Sequence, residues 1–171
     1  SNRFTVLPII GVSEWFGVYA IRLLPVMLIF AWLGALRRVV ELVGDLLALD
    51  LDRNWIQTII YALVFFLILL APNRFQTIYW RSGLLTYTLP LLGITWLAGL
   101  ILAGSAKPVS AAQLITVSLL AVFTAGCSET AAMLLIAGLA LGLLVSFFTH
   151  SPRRAVWLAL LGAALFGALL A

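Results

Sequence analysis

Long apolar blocks alternate with short polar breaks along this chain, and the blocks have the length of membrane spans. A spanning helix needs roughly 20 mostly apolar residues, with about 17 at the lower end. Six stretches meet or approach that length: residues 15–36, 55–71, 83–103, 111–125, 130–148 and 155–171. The first contains Arg22 and Pro25. After it, RRVVELVGDLLALDLDR (37–53) mixes charges with Val40, Leu42, Val43, Leu46, Leu47, Leu49 and Leu51. That pattern predicts an amphipathic helix lying in the interface, not a span. The other breaks, such as AKPVS (106–110) and HSPRR (150–154), are tight. The expected fold is an all-α membrane protein: a single domain over 1–171, a bundle of about six transmembrane helices plus one interfacial amphipathic helix.

Composition agrees with this pattern. Of 171 residues, 64% are hydrophobic and 9% charged, with a mean hydropathy of +1.19. A soluble domain is usually about 25% charged. So much apolar surface needs lipid as its solvent. Lone Cys127 excludes an internal disulfide and a cysteine-based metal site. The chain starts Ser-Asn-Arg without a leader and ends inside an apolar run. Both ends are read as cuts, so the expectation is a piece of a longer protein.

Charge orients the spans. One set of span ends carries Arg37, Arg38, Arg53, Lys107, Arg153 and Arg154; the other carries Arg3, Arg74 and Arg81. Cytoplasmic loops are enriched in Lys and Arg, so the first set is expected inside. The same rule accounts for the net charge of +4 without a nucleic-acid partner. The N-terminal segment, the loop holding YWRSG and the loop holding GCSE then face outward.

Polar residues gather on that outer side. They are Asn2, Arg3, Ser13 and Glu14; Asn73, Arg74, Gln76, Tyr79, Trp80, Arg81 and Ser82; Thr86, Tyr87 and Thr88; and Ser128, Glu129 and Thr130. Each has a structural account. Ser128 is a natural N-cap, an acid at position 129 favours the positive end of a helix dipole, and interfacial aromatics form belts. Arg22 can snorkel to the interface or pair with Glu14 or Glu129. A functional account also exists. Aromatic faces beside guanidinium and hydroxyl groups suit a ligand with a ring face and an anionic group, since Arg grips phosphate oxygens bidentately. Pro90 is expected to bend the third span beside these groups. His150, next to two arginines, reads as solvated. No metal-ligand spacing, Gly-rich phosphate loop or Ser/His/Asp set is present.

The string YWRSGLLTYTLP, followed by AGCSET, resembles an uncharacterised family of bacterial polytopic membrane proteins related to the GT-C glycosyltransferases. The matching positions are Tyr79, Trp80, Ser82, Gly83, Tyr87 and Pro90, then Gly126, Ser128 and Glu129, with Arg3 and Phe4 near the start. The resemblance implies a fragment of a larger GT-C-like protein in the bacterial inner membrane, with the N-terminus of this chain extracytoplasmic. It implies a polyprenyl-phosphate-linked sugar as donor and membrane lipid as surroundings. Substrate binding then falls to Arg3, Arg74, Tyr79, Trp80, Arg81, Ser82, Tyr87, Ser128 and Glu129. Such enzymes carry a catalytic acid in an acidic pair of the first outer loop, and this chain has no such pair. Glu129 is the best catalytic candidate within it and Glu14 the weaker one. No cofactor is evident, and a divalent metal would need acidic residues upstream. Two other functions stay open: a transporter or flippase of an anionic lipid or amphiphile, with Arg22, Thr95, Thr116 and Ser118 along the path, and a non-catalytic membrane assembly subunit.

Overall fold

The computed structural model describes residues 6–71, 73, 83–104, 109–149 and 153–170, without the side chains of residues 18, 20 and 21. Seven α-helices and one π-helical segment make up these residues, with no strand among them. Helix α1 is Val6–Trp15, α2 Gly17–Leu46 and α3 Arg53–Leu70. The π segment Leu84–Thr88 runs straight into α4, Leu89–Ala103. Then come α5 Ala111–Ala125, α6 Glu129–Phe148 and α7 Arg154–Leu170. Four stretches are long and apolar enough to cross a membrane: Arg22–Leu46 of α2, α3, the π segment with α4, and α6. Helices α1, α5 and α7 are shorter apolar helices. All six expected spans are helical, and the last five agree with their expected bounds within two residues.

The helix starts follow from local capping. Asp52 accepts the Trp55 N–H at 2.8 Å and opens α3. Ser110 and Gln113 form a reciprocal capping box at α5, with N···O distances of 3.2 and 3.0 Å. Ser128 accepts the Ala131 N–H at 3.5 Å and opens α6. Between α1 and α2 the chain turns at Gly17, whose φ of +53° falls where only glycine is unstrained.

One expected element differs. Residues 37–46, read as part of a separate interfacial helix, are the last turns of α2. Nothing after Leu36 breaks the helix, and the Arg37–Glu41 pair (2.8 Å, i,i+4) supports its continuation. Helix α2 runs to Leu46 and is closed just beyond its C-cap Leu47 by Ala48, whose φ is +50°. There the Leu49 N–H reaches back to the Gly44 carbonyl (2.9 Å) and the Ala48 N–H to Asp45 (3.2 Å). This is the Schellman pattern, with alanine where glycine is usual.

Packing sorts the helices into a row. Helix α3 lies on α2, α2 on α4, and α4 on α5; α7 packs against both α5 and α6. The main core sits where α4, α5, α6 and α7 meet, around Leu97, Ala121, Ala125, Leu135 and Leu160. Lipid is as apolar as leucine, so close backbone approach, more than water exclusion, holds such helices together. A Cβ added to Gly167 would lie 2.5 Å from the Val122 carbonyl oxygen, and one on Gly142 would lie 2.4 Å from the Trp157 ring. These glycines let α7 approach α5 and α6.

Helices α2 and α4 run parallel. Leu24 and Leu89 belong to one cluster, the Trp32 indole N–H donates to the Thr95 hydroxyl at 3.1 Å, and Val39 lies against Gly99. The bundle therefore has two distinguishable ends. Val6, Leu85 and Cys127 mark one. Arg38, Gly104 and Arg153 mark the other.

Candidate functional site

The first end holds what is described of the expected outer site. Its centre is the π segment LLTYT. Proline has no N–H, and its ring collides with the carbonyl four residues back in a regular helix. Pro90, fully buried, would meet the Thr86 carbonyl in that way. A wider turn relieves the clash: the Leu89 N–H bonds the Leu84 carbonyl, five residues back. The bend expected from Pro90 thus takes the form of a π turn just before it.

Residues two apart on a helix point to roughly opposite faces, and Leu85 and Tyr87 do so here. Leu85 is fully buried with Val6 of α1 and Cys127 of the α5–α6 turn. Tyr87 points elsewhere. It is 53% exposed and lines a cavity of about 120 Å³ with Ile29 and Trp32 of α2 and Leu67 and Ile68 of α3. Thr86 and Thr88 are buried, and each has an interaction partner. The face of the π segment that carries Tyr87 is therefore not the face that meets the α5–α6 turn.

In that turn, Cys127 is buried and its thiol donates to the Phe123 carbonyl at 3.3 Å. Ser128 is buried as the N-cap, so its oxygen is engaged by the backbone. Glu129 follows as the first residue of α6 and is exposed. A carboxylate there sits at the positive helix end and is able to accept hydrogen bonds from a hydroxyl or an amine at the bundle surface.

On α1, Ser13 is buried and its hydroxyl donates to the Ile10 carbonyl at 2.7 Å, while Glu14 is exposed and has a partner of its own. Arg22 is exposed in the second turn of α2, close enough to the start of that helix for its side chain to snorkel to the interface. The ion pair among the described residues is Arg37–Glu41, so the expected pairing of Arg22 with Glu14 or Glu129 is not formed. Arg3, Arg74, Tyr79, Trp80, Arg81 and Ser82 lie outside the described residues.

Two polar groups named for a transport path have structural partners. Thr95 accepts from Trp32 and donates to the Leu91 carbonyl at 2.8 Å; the Thr116 hydroxyl donates to the Ala112 carbonyl at 2.9 Å. The Trp32–Thr95 bond was readable only as a need, since a buried indole N–H requires some acceptor. At the second end, Arg154 bonds the Ser146 and Phe147 carbonyls, both at 3.3 Å, and stacks over the Phe147 ring. Arg153 bonds the Gly104 carbonyl at the end of α4. Carbonyls at helix C-termini lack intrahelical donors and carry partial negative charge, which these arginines answer. Among the described residues no group of three or more His, Cys, Asp or Glu is placed to hold a metal ion. No protein-family model, curated protein or solved structure matches the chain.

Proposed function

We propose that this chain belongs to a bacterial inner-membrane glycosyltransferase of GT-C-like kind, with its Glu129 end extracytoplasmic. The donor is a sugar on a polyprenyl-phosphate carrier. One observation carries the reading: Leu85 of YWRSGLLTYTLP and Cys127 of AGCSET, far apart in sequence, share a buried cluster at one end of the bundle. The two segments on which the resemblance rests are thereby neighbours.

In this reaction an acceptor hydroxyl attacks the anomeric carbon. The bond from that carbon to the carrier phosphate oxygen breaks, the polyprenyl phosphate leaves with the electron pair, and a base takes the hydroxyl proton. We assign the carrier phosphates to Arg3, Arg74 and Arg81, stacking on the sugar to Trp80, contact with the prenyl chain to Tyr87 on its α2–α3 side, and the acceptor hydroxyl to Glu129. Tyr79 and Ser82 complete the donor wall. The buried, capping Ser128 serves by fixing where Glu129 emerges. Arginine forks suit phosphate, and a carboxylate within hydrogen-bond reach suits a hydroxyl.

The experiment is sugar transfer from a labelled polyprenyl-phosphate donor to acceptor in vesicles holding the full-length protein. Glu129→Ala and Arg81→Ala are each expected to lower transfer. Wild-type rates in both variants would remove the assignment. A flux assay on the same vesicles separates this reading from transport: movement of the lipid without bond formation would replace it. The transport reading draws less support from the fold, because Thr95, one of the groups along its path, is bonded to Trp32.

A further inference from the structure

At the second end an open cleft of about 290 Å³ lies between the end of α4 and the first turns of α5 and α7. That is near the lower limit of ligand cavities, roughly 300–1,000 Å³. Its walls are mostly apolar, including Leu100, Ile101, Val117, Val156 and Trp157. Trp157 is a firm wall, because its ring is seated on Gly142 of α6. The polar groups are few. The Gln113 side-chain oxygen is engaged in the capping box and the Thr116 hydroxyl bonds the Ala112 carbonyl. The partly buried guanidinium of Arg153 is the cation among the described lining residues, and no acid is among them. A guanidinium has five donors and keeps its full positive charge while it bonds the Gly104 carbonyl and a further partner.

We infer that this cleft is a binding site for an anionic phospholipid, with an acyl chain between α4, α5 and α7 and the phosphodiester against Arg153. Charge complementarity selects the occupant: among the described lining residues there is a cation and no acid, and an apolar trough is continuous with it. Arg154, on the adjacent residue, and Arg38, beside Gly99 of α4, add positive potential at the same end. Neither a free anion nor a neutral lipid uses both parts of the site.

The test is native mass spectrometry of the detergent-purified protein offered phosphatidylglycerol and phosphatidylcholine of identical acyl chains. Wild type is expected to retain phosphatidylglycerol roughly fivefold better, the increment of one basic residue at a lipid surface. Arg153→Gln is expected to erase that preference. Ala112→Phe, a change at an exposed lining position, is expected to fill the mouth and abolish retention of both lipids. Since Arg153 also caps α4, its variant may not be read alone; Ala112→Phe and a competition with inorganic phosphate decide the matter. Equal retention of the two lipids by wild type, full retention by Ala112→Phe, or displacement of the lipid by millimolar phosphate would each overturn the inference.

Discussion

Thr124 is seated directly over Gly93. Its hydroxyl oxygen is fully buried and has no hydrogen-bond partner, and a Cβ added to Gly93 would lie 2.3 Å from it. The contact joins α4 to α5. A buried hydroxyl without a donor or acceptor is costly, so the site gains its stability from close helix approach. A weak Cα–H···O contact to the glycine is the compensation open to it.

Gly93→Ala should therefore destabilise the bundle by about 1–3 kcal/mol, the usual cost of overpacking. Adding Thr124→Ala should recover part of that loss, because neighbouring substitutions couple. Thermal unfolding of the detergent-solubilised protein measures both. A Gly93→Ala protein that melts with wild type would mean that α4 and α5 are farther apart than described.

The Trp32–Thr95 bond should be visible as a coupling energy. Interhelical hydrogen bonds in membranes average about 0.6 kcal/mol and reach about 1.7 kcal/mol. A cycle of Trp32→Phe, Thr95→Val and the double variant is expected to give a value in that range. Strict additivity would show that the bond contributes nothing to holding α2 on α4.

Ala48 occupies a left-handed position that suits glycine. An L-residue there costs roughly 1–2 kcal/mol in backbone strain. Ala48→Gly should raise stability by about 1 kcal/mol after the entropy of glycine is counted. A lower melting temperature for Ala48→Gly would argue that α2 ends elsewhere, as it would if residues 37–53 formed a separate interfacial helix.

Ser128 and Glu129 should separate by phenotype. Loss of the cap in Ser128→Ala is expected to cost about 1 kcal/mol of stability. Glu129→Gln, at an exposed position, should change stability by less than about 0.5 kcal/mol while lowering sugar transfer. If Glu129→Gln unfolded the protein and left the specific transfer rate of the folded fraction unchanged, the carboxylate would be a helix-end residue alone.

The starts of α3, α5 and α6 were legible because their determinants are local, whereas α1, Val6–Trp15, was not anticipated. The bounds of α5, 111–125, could be read from Ser110 and Gln113 before an apolar run and Gly126 after it. The start of α6 followed from Ser128 in the same way. Other features were hidden. The continuation of α2 through residues 37–46 was masked by charges that look interfacial but form an i,i+4 pair along one helix. The π turn depends on a clash at Pro90 that a bend would also have relieved. The expected outer wall was legible as a set of residues but not as a surface. Tyr87 turns toward α2 and α3 while Leu85, two residues earlier, turns toward Cys127.

By itself, then, the sequence determined that this chain is built of apolar helices, several of membrane length, where most of them begin, and which residues carry charge at their ends. Those properties depend on hydrogen bonding and transfer energy within short segments. The tertiary structure decided which faces meet. In lipid, hydrophobicity does not mark the inward face: Phe65, Leu69 and Phe166 are exposed, while Ala121, Ala125, Ala164 and Gly167 are buried. Small size and shape select the contacts there, and those are properties of a pair of helices, which no single segment contains.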